Sequence, residues 1–234
     1  MQITDFTDNS VFIACAVILL ICIVIGAVMG FLRFTIPVIA LAAAIFLTSF
    51  AMEPVFGIIK NYTPVYYSVK ESVEKKMLPE VPAETTVVQQ VSVIDEAPLP
   101  QVLKTKLLEN NNSEIYDLLG VSSFVDYVGS YTANLVVKGI TFLVCVILIA
   151  VLIRLIAGAL HIVEDLPVVH GINKFAGALL GAATGVVIIW IGFVVITIFV
   201  SSPWAKELYD KIDGNAVLKY AYEKSIFLPW LTKL

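Results

Sequence analysis

Apolar residues run in long unbroken blocks along this chain, not in alternation or in heptads. A helix needs about 20 apolar residues to cross the roughly 30 Å hydrocarbon layer of a bilayer. Four blocks meet that need. The first is Val11–Leu32 and the second Phe34–Met52, closed by Glu53-Pro54. The third is centred on Gly139–Ile153 between Lys138 and Arg154. Its charge-free stretch is short, so the span is expected over Val136–Leu160, with both cations reaching outward from near its ends. The fourth runs from Phe175 to about Val200 and is closed by Ser201-Ser202-Pro203-Trp204. Only Arg33 parts the first two blocks, which predicts a tight hairpin. A short polar turn over 161–174 joins the last two. The expected fold is all-α: a polytopic membrane protein with four transmembrane helices in two hairpins. A partly helical insert separates spans 2 and 3, and amphipathic helices close the chain. The domains are then an N-terminal transmembrane hairpin (1–59), a polar insert (60–134), a C-terminal transmembrane hairpin (135–202) and an amphipathic tail (203–234).

The insert is patterned differently. Its middle, Pro79–Pro100, carries four prolines and no helical period, so 79–100 is expected to be an extended linker. On either side, Tyr66, Val69, Val73 and Met77, then Leu103 and Leu107, then Ile115, Leu118 and Leu119 recur at helical spacing. Ser122-Ser123 followed by Asp126 reads as a helix start. From there Phe124, Tyr127, Val128, Tyr131 and Leu135 carry one stripe straight into the third span, which predicts a long helix rising out of the membrane. With too few apolar residues for its own core, the insert is expected to lie on the bilayer or on a partner. In the tail, Trp204, Leu208 and Ile212 share one face, and Val217, Leu218, Ala221 and Tyr222 a second beyond the break at Asp213-Gly214-Asn215. The tail's Trp and Tyr residues suit a headgroup-level aromatic belt.

Composition narrows the class. The 234 residues are 59% hydrophobic and 15% charged, with a mean hydropathy of +0.92, which excludes an ordinary water-soluble globule. The formal charge of −4 argues against a nucleic-acid partner. The insert holds 6 Lys against 10 Asp+Glu, so the whole net charge resides there. Cys15, Cys22 and Cys145 all sit in apolar blocks and read as small hydrophobes. The N-terminal stretch does not read as a cleavable signal peptide, because it carries Asp5 and Asp8 and no Lys or Arg before a 22-residue block. That acidic start places the termini and the insert outside and the turns inside, although five Lys in the tail argue the other way.

The sharpest pattern is a glycine stripe. Gly177, Gly181 and Gly185 repeat every four residues, and Gly192 follows seven later on the same face. Gly26 and Gly30 give the first span a weaker version. Lipid supplies no hydrophobic drive between helices, so small residues that admit close backbone approach become a main adhesive. The stripe is expected to pack either within the bundle or against a second copy or partner. The turn before it holds His161, Glu164, Asp165, His170, Asn173 and Lys174. His161 and Asp165 are one helical turn apart, the spacing for a metal or a proton relay, but Pro167 breaks the helix before His170, and solvated capping residues are the plainer reading. No metal or cofactor is expected. Nor is an enzyme: the phosphate-loop, nucleophile-elbow and paired-His motifs are all missing.

Residues 166–192, LPVVHGINKFAGALLGAATGVVIIWIG, resemble the colicin V production protein family of bacterial inner-membrane proteins. The resemblance rests on Pro167, the pair Asn173-Lys174, Gly177, Gly181, Gly185 and Trp190. It also rests on the similar start, Gly26-x3-Gly30-Phe31-x-Arg33, which makes Arg33 an interfacial turn residue with Pro167, Asn173 and Lys174. The long insert looks like the forms in Gram-positive bacteria, and His170 stands where a small polar residue is expected. The resemblance implies four spans and a link to bacteriocin secretion, a toxin biosynthetic process, and to cell-envelope homeostasis. Some relatives use such a region to anchor an extracytoplasmic serine protease, which supports an outer C-terminus; no protease domain is expected here. The expected function is a non-enzymatic scaffold or accessory factor in the bilayer, working as a homo-oligomer or with an envelope protein. A small oligomeric channel or export component is the alternative. Thr35, Thr48, Ser49, Thr141, Thr184 and Thr197 are few and scattered, which favours the scaffold.

Overall fold

The computed structural model describes residues 10–78, 81, 85–97, 99–159, 172–199 and 202–232. Among them every regular element is a helix. In chain order these are α1 (Ser10–Tyr62), α2 (Val65–Met77), α3 (Val87–Glu96), α4 (Gln101–Glu109), α5 (Ser113–Leu119), α6 (Phe124–Ala159), α7 (Ile172–Ile198), α8 (Pro203–Asp213), α9 (Ala216–Glu223) and α10 (Leu228–Leu231). Three described helices, α1, α6 and α7, are long and apolar enough to cross a membrane. The first two apolar blocks of the sequence both fall within α1, where two helices meet across a kink rather than at Arg33. Its break falls three residues earlier, at Gly30, where φ is 74° and ψ 163°. That backbone region is open in practice only to glycine.

Two further differences lie in the insert. Residues 87–96, expected to be extended, form α3. The start signal is local: the Gln89 side chain accepts hydrogen bonds from the Thr86 backbone N–H and hydroxyl, both at 2.9 Å. A reciprocal cap of this kind offsets unsatisfied N–H groups at a helix start, and prolines 79, 82, 98 and 100 all lie outside the helix. The insert also has a packed interior. Ile94, Leu103 and Leu107 are almost wholly buried.

The chain divides into two compact units. The first comprises Met1–Val55, Phe142–Phe193 and Lys211–Tyr222; the second comprises Phe56–Thr141, Val194–Asp210 and Glu223–Leu234. In the second unit the stripe expected on α6 is buried throughout: Phe124, Tyr127, Val128, Tyr131 and Leu135 are each at most 3% exposed. Ser123 Oγ accepts from the Asp126 N–H at 3.2 Å and opens that helix. The Tyr127 hydroxyl donates to the Leu107 carbonyl at 2.8 Å, and the Tyr131 hydroxyl to the Thr232 carbonyl at 3.0 Å. The Gln101 N–H donates to the Tyr209 hydroxyl at 3.0 Å. The core that the insert lacks alone is thus completed by α6 and by tail residues such as Leu228 and Leu231, both buried. In the first unit, the Trp190 indole N–H donates to the Ala221 carbonyl at 2.9 Å, and Phe193 meets Tyr222 with ring centroids 5.4 Å apart. Leu218 and Tyr222 of α9 are buried, while Val217, expected on the same face, is exposed.

Candidate functional site

The glycines of α1 and α7 meet within the first unit. A β-carbon on Gly26 would strike the Gly177 carbonyl oxygen and lie 3.1 Å from the Gly181 α-carbon. One on Gly177 would strike the Gly26 carbonyl oxygen and lie 2.9 Å from the Gly30 carbonyl carbon and the Phe31 nitrogen. One on Gly181 would strike the Cys22 carbonyl oxygen. At these three positions the obstruction is backbone, which cannot swing aside as a side chain can. Gly185 is looser, with Leu19 Cδ1 at 3.0 Å and Cys22 Cβ at 3.3 Å from the added carbon. Helix 10–29 thus runs antiparallel to α7, since contacts at 26, 22 and 19 answer 177, 181 and 185.

Gly192 does not join this row. Nothing lies within 4 Å of a β-carbon placed there, and the residue is exposed. Seven residues return to the same helical face, so periodicity put it on the stripe. Helices packed through small residues cross at an angle and part away from the crossing point, which leaves a glycine one turn or two beyond it without a neighbour.

Asn173 explains how the break at Gly30 is tolerated. Breaking the helix removes the i−4 acceptor from the N–H groups just beyond it. The Asn173 Oδ1 accepts from the Leu32 N–H at 3.1 Å, 141 residues away in sequence. The same amide fills the space beside Gly30, where a β-carbon would collide with Asn173 Nδ2. Arg33 and Lys174 flank this junction and are exposed. Pro167, with His161, Glu164, Asp165 and His170, lies outside the described residues. Cys22 forms part of the seam wall; Cys22 and Cys145 are buried and Cys15 half-buried, all as free thiols. Sequence reasoning missed Leu19, Cys22 and Ile23 as the opposite wall. The available signal was that Cys22, Gly26 and Gly30 share the four-residue spacing.

Two buried threonine hydroxyls of the long helices bond locally. Thr48 Oγ1 donates to the Ala44 carbonyl at 2.8 Å and Thr141 Oγ1 to the Val137 carbonyl at 2.7 Å. Such back-bonding satisfies the hydroxyl within its own helix.

The second unit holds a charged contact between α2 and α6. Lys70 Nζ lies 2.5 Å from Asp126 Oδ1 and 3.7 Å from Glu74 Oε1. Glu74 Oε1 is buried, accepts no hydrogen bond, and closes onto Gly129, where a β-carbon would lie 2.6 Å from it. Burial raises the Glu74 carboxyl above the ordinary carboxylate range; the Lys70 charge lowers it, and the Asp126 charge raises it again. For Lys70, burial works to lower the ammonium, but the bond to Asp126 and the nearby acids outweigh it and leave it raised.

Apolar helices joined backbone to backbone through glycine, with a mid-helix break bonded by a neighbour's amide, define a helical membrane protein. The family model for the colicin V production protein matches residues 118–234, and the chain belongs to that family. The match takes in Asn173, Lys174 and the α7 glycines; Gly26 and Gly30 lie before it. No curated protein and no solved structure matches the chain.

Proposed function

We propose that this protein is a non-enzymatic inner-membrane scaffold or accessory factor, acting in bacteriocin export and envelope homeostasis through a partner held by its polar parts. The observation that carries this reading is the second unit. There the insert and the tail pack together with the start of α6, tied by the Tyr131–Thr232 and Gln101–Tyr209 hydrogen bonds. A structured unit built from the polar insert and the tail suits recruitment. Four spans in two hairpins fit the length of α1. At 1.5 Å per residue its 53 residues would reach about 80 Å if straight, more than twice the hydrocarbon thickness. The break at Gly30 divides it into two pieces that each suffice for one crossing. The termini and insert then share the outer face of the membrane.

The channel alternative draws less support. The glycine stripe faces the chain's own first helix, so it is not free to join copies around a pore. The test is an affinity pull-down of the tagged protein after crosslinking in intact cells. The scaffold reading expects a stoichiometric second protein. Recovery of self-crosslinked multimers alone would sink it and make ion flux in liposomes the next measurement.

A further inference from the structure

The apolar ends of the three long helices coincide in space. By sequence, the second apolar block of α1 ends at Met52, the span of α6 starts at Val136, and that of α7 ends near Val200. In the second unit Phe56 and Tyr66 pack with Ala133 and Val137 of α6, and a β-carbon on Gly139 would strike Cγ1 of Ile198. Phe56, residues 137–139 and Ile198 therefore share one level. Each lies within four residues, about 6 Å of helix, of the point where its apolar block stops or starts. That level marks the edge of the hydrocarbon layer.

Three amphipathic aromatics stand exposed beside it. Trp204, 47% exposed, rests on Phe199, with ring centroids 5.6 Å apart, and Phe199 directly follows Ile198. Tyr62, 84% exposed, lies six residues or about 9 Å along α1 from Phe56, and Tyr67, 68% exposed, follows Tyr66. Among the described residues nothing bonds to the Trp204 indole N–H or to the Tyr62 and Tyr67 hydroxyls. Trp190, by contrast, donates its N–H to the Ala221 carbonyl. The patch also continues the surface that acyl chains cover: on α1 the exposed ridge Phe50, Pro54, Ile58 and Tyr62 steps by four residues straight to it. An apolar ring with an unbonded donor suits the layer where acyl chains give way to glycerol esters. Ester carbonyls accept from N–H and O–H and are neutral, so lipid charge does not enter. We propose that Trp204 on Phe199, with Tyr62 and Tyr67, docks the second unit on this layer by donating to phospholipid ester carbonyls. The docking rests on the membrane class alone, not on the scaffold reading.

The test is tryptophan fluorescence of the full chain in bilayers whose acyl chains carry bromine, a contact quencher, near the glycerol end or near the methyl end. Trp204 emission is the difference between the wild type and Trp204→Phe, which keeps a ring beside Phe199. Bromine near the glycerol end should remove most of that difference, and bromine near the methyl end little of it. The result should be the same in phosphatidylcholine and in an equal mixture with phosphatidylglycerol. The emission that Tyr62→Trp adds to the wild type should repeat the pattern, and it reads the same layer without relying on Trp204→Phe. Emission that neither bromine quenches, from rings covered by a protein or a second copy or open to water, would overturn the docking. So would stronger quenching from the methyl end, quenching that needs phosphatidylglycerol, or unquenched emission from Tyr62→Trp.

Discussion

At the scale of single residues, the junction of Gly30 and Asn173 shows how a polar side chain can be necessary in an apolar fold. The left-handed backbone at Gly30 frees a donor at Leu32, and the Asn173 amide supplies its acceptor. Asn173→Leu should lower stability by about 1 kcal/mol, the usual cost of an orphaned N–H, while Asn173→Asp, which keeps the acceptor, should lose less. Reversible unfolding in mixed detergent micelles measures both; equal stability of all three proteins would contradict the role. The sequence shows Asn173 as a polar residue beside Lys174, but not its donor, because 141 residues separate the two and no local pattern links them. Glu74 gives a second prediction. Its folded carboxyl binds a proton more tightly than an exposed one. Docking of α2 on α6 is then strongest at low pH and weakens as pH rises through that raised value. Lys70, Asp126 and Glu71 are the charges that bear on it. Amide exchange of α2, corrected for intrinsic rates, should be slower at pH 5 than at pH 8, and Glu74→Gln should remove that difference. A pH dependence that survives in Glu74→Gln would assign the effect to another group.

At the scale of elements, the seam between helix 10–29 and α7 is a backbone contact, so its tolerance varies sharply along one stripe. Gly181→Leu drives four carbons into the Cys22 carbonyl and should cost several times the ~1–3 kcal/mol of ordinary overpacking, with loss of folded protein from the membrane. Gly192→Leu meets open space and should accumulate like the wild type. If Gly181→Leu keeps wild-type level, oligomeric mass and phenotype, the seam does not hold the fold. The four-residue glycine repeat made close approach legible, but a repeat does not name its partner helix. It also overran its true extent at Gly192, because periodicity is blind to where two helices diverge. In the insert the opposite error arose. Four prolines suggested an extended linker, yet they flank α3 and leave its ten residues free to coil. The Thr86–Gln89 spacing was the readable signal.

At the scale of the whole molecule, long apolar blocks made the helical membrane class plain, and the stripe from Phe124 to Leu135 announced the length of α6. The packed interior of the second unit was not legible. Its residues come from the insert, from α6 and from the tail, and each contributes too little for composition to reveal a core. That unit is the basis of the scaffold reading, and the reading requires insert and tail to share one side of the membrane. Cysteine labelling in intact cells tests this most directly. Cys15, Cys22 and Cys145 are first replaced by Ala, and one cysteine is then placed at Glu114, Lys224 or Arg33. Four spans with an outer platform predict that a membrane-impermeant maleimide labels Glu114→Cys and Lys224→Cys in intact cells, and Arg33→Cys only after permeabilisation. Labelling of Glu114→Cys and Lys224→Cys from opposite sides, or of Arg33→Cys alone in intact cells, would contradict the account.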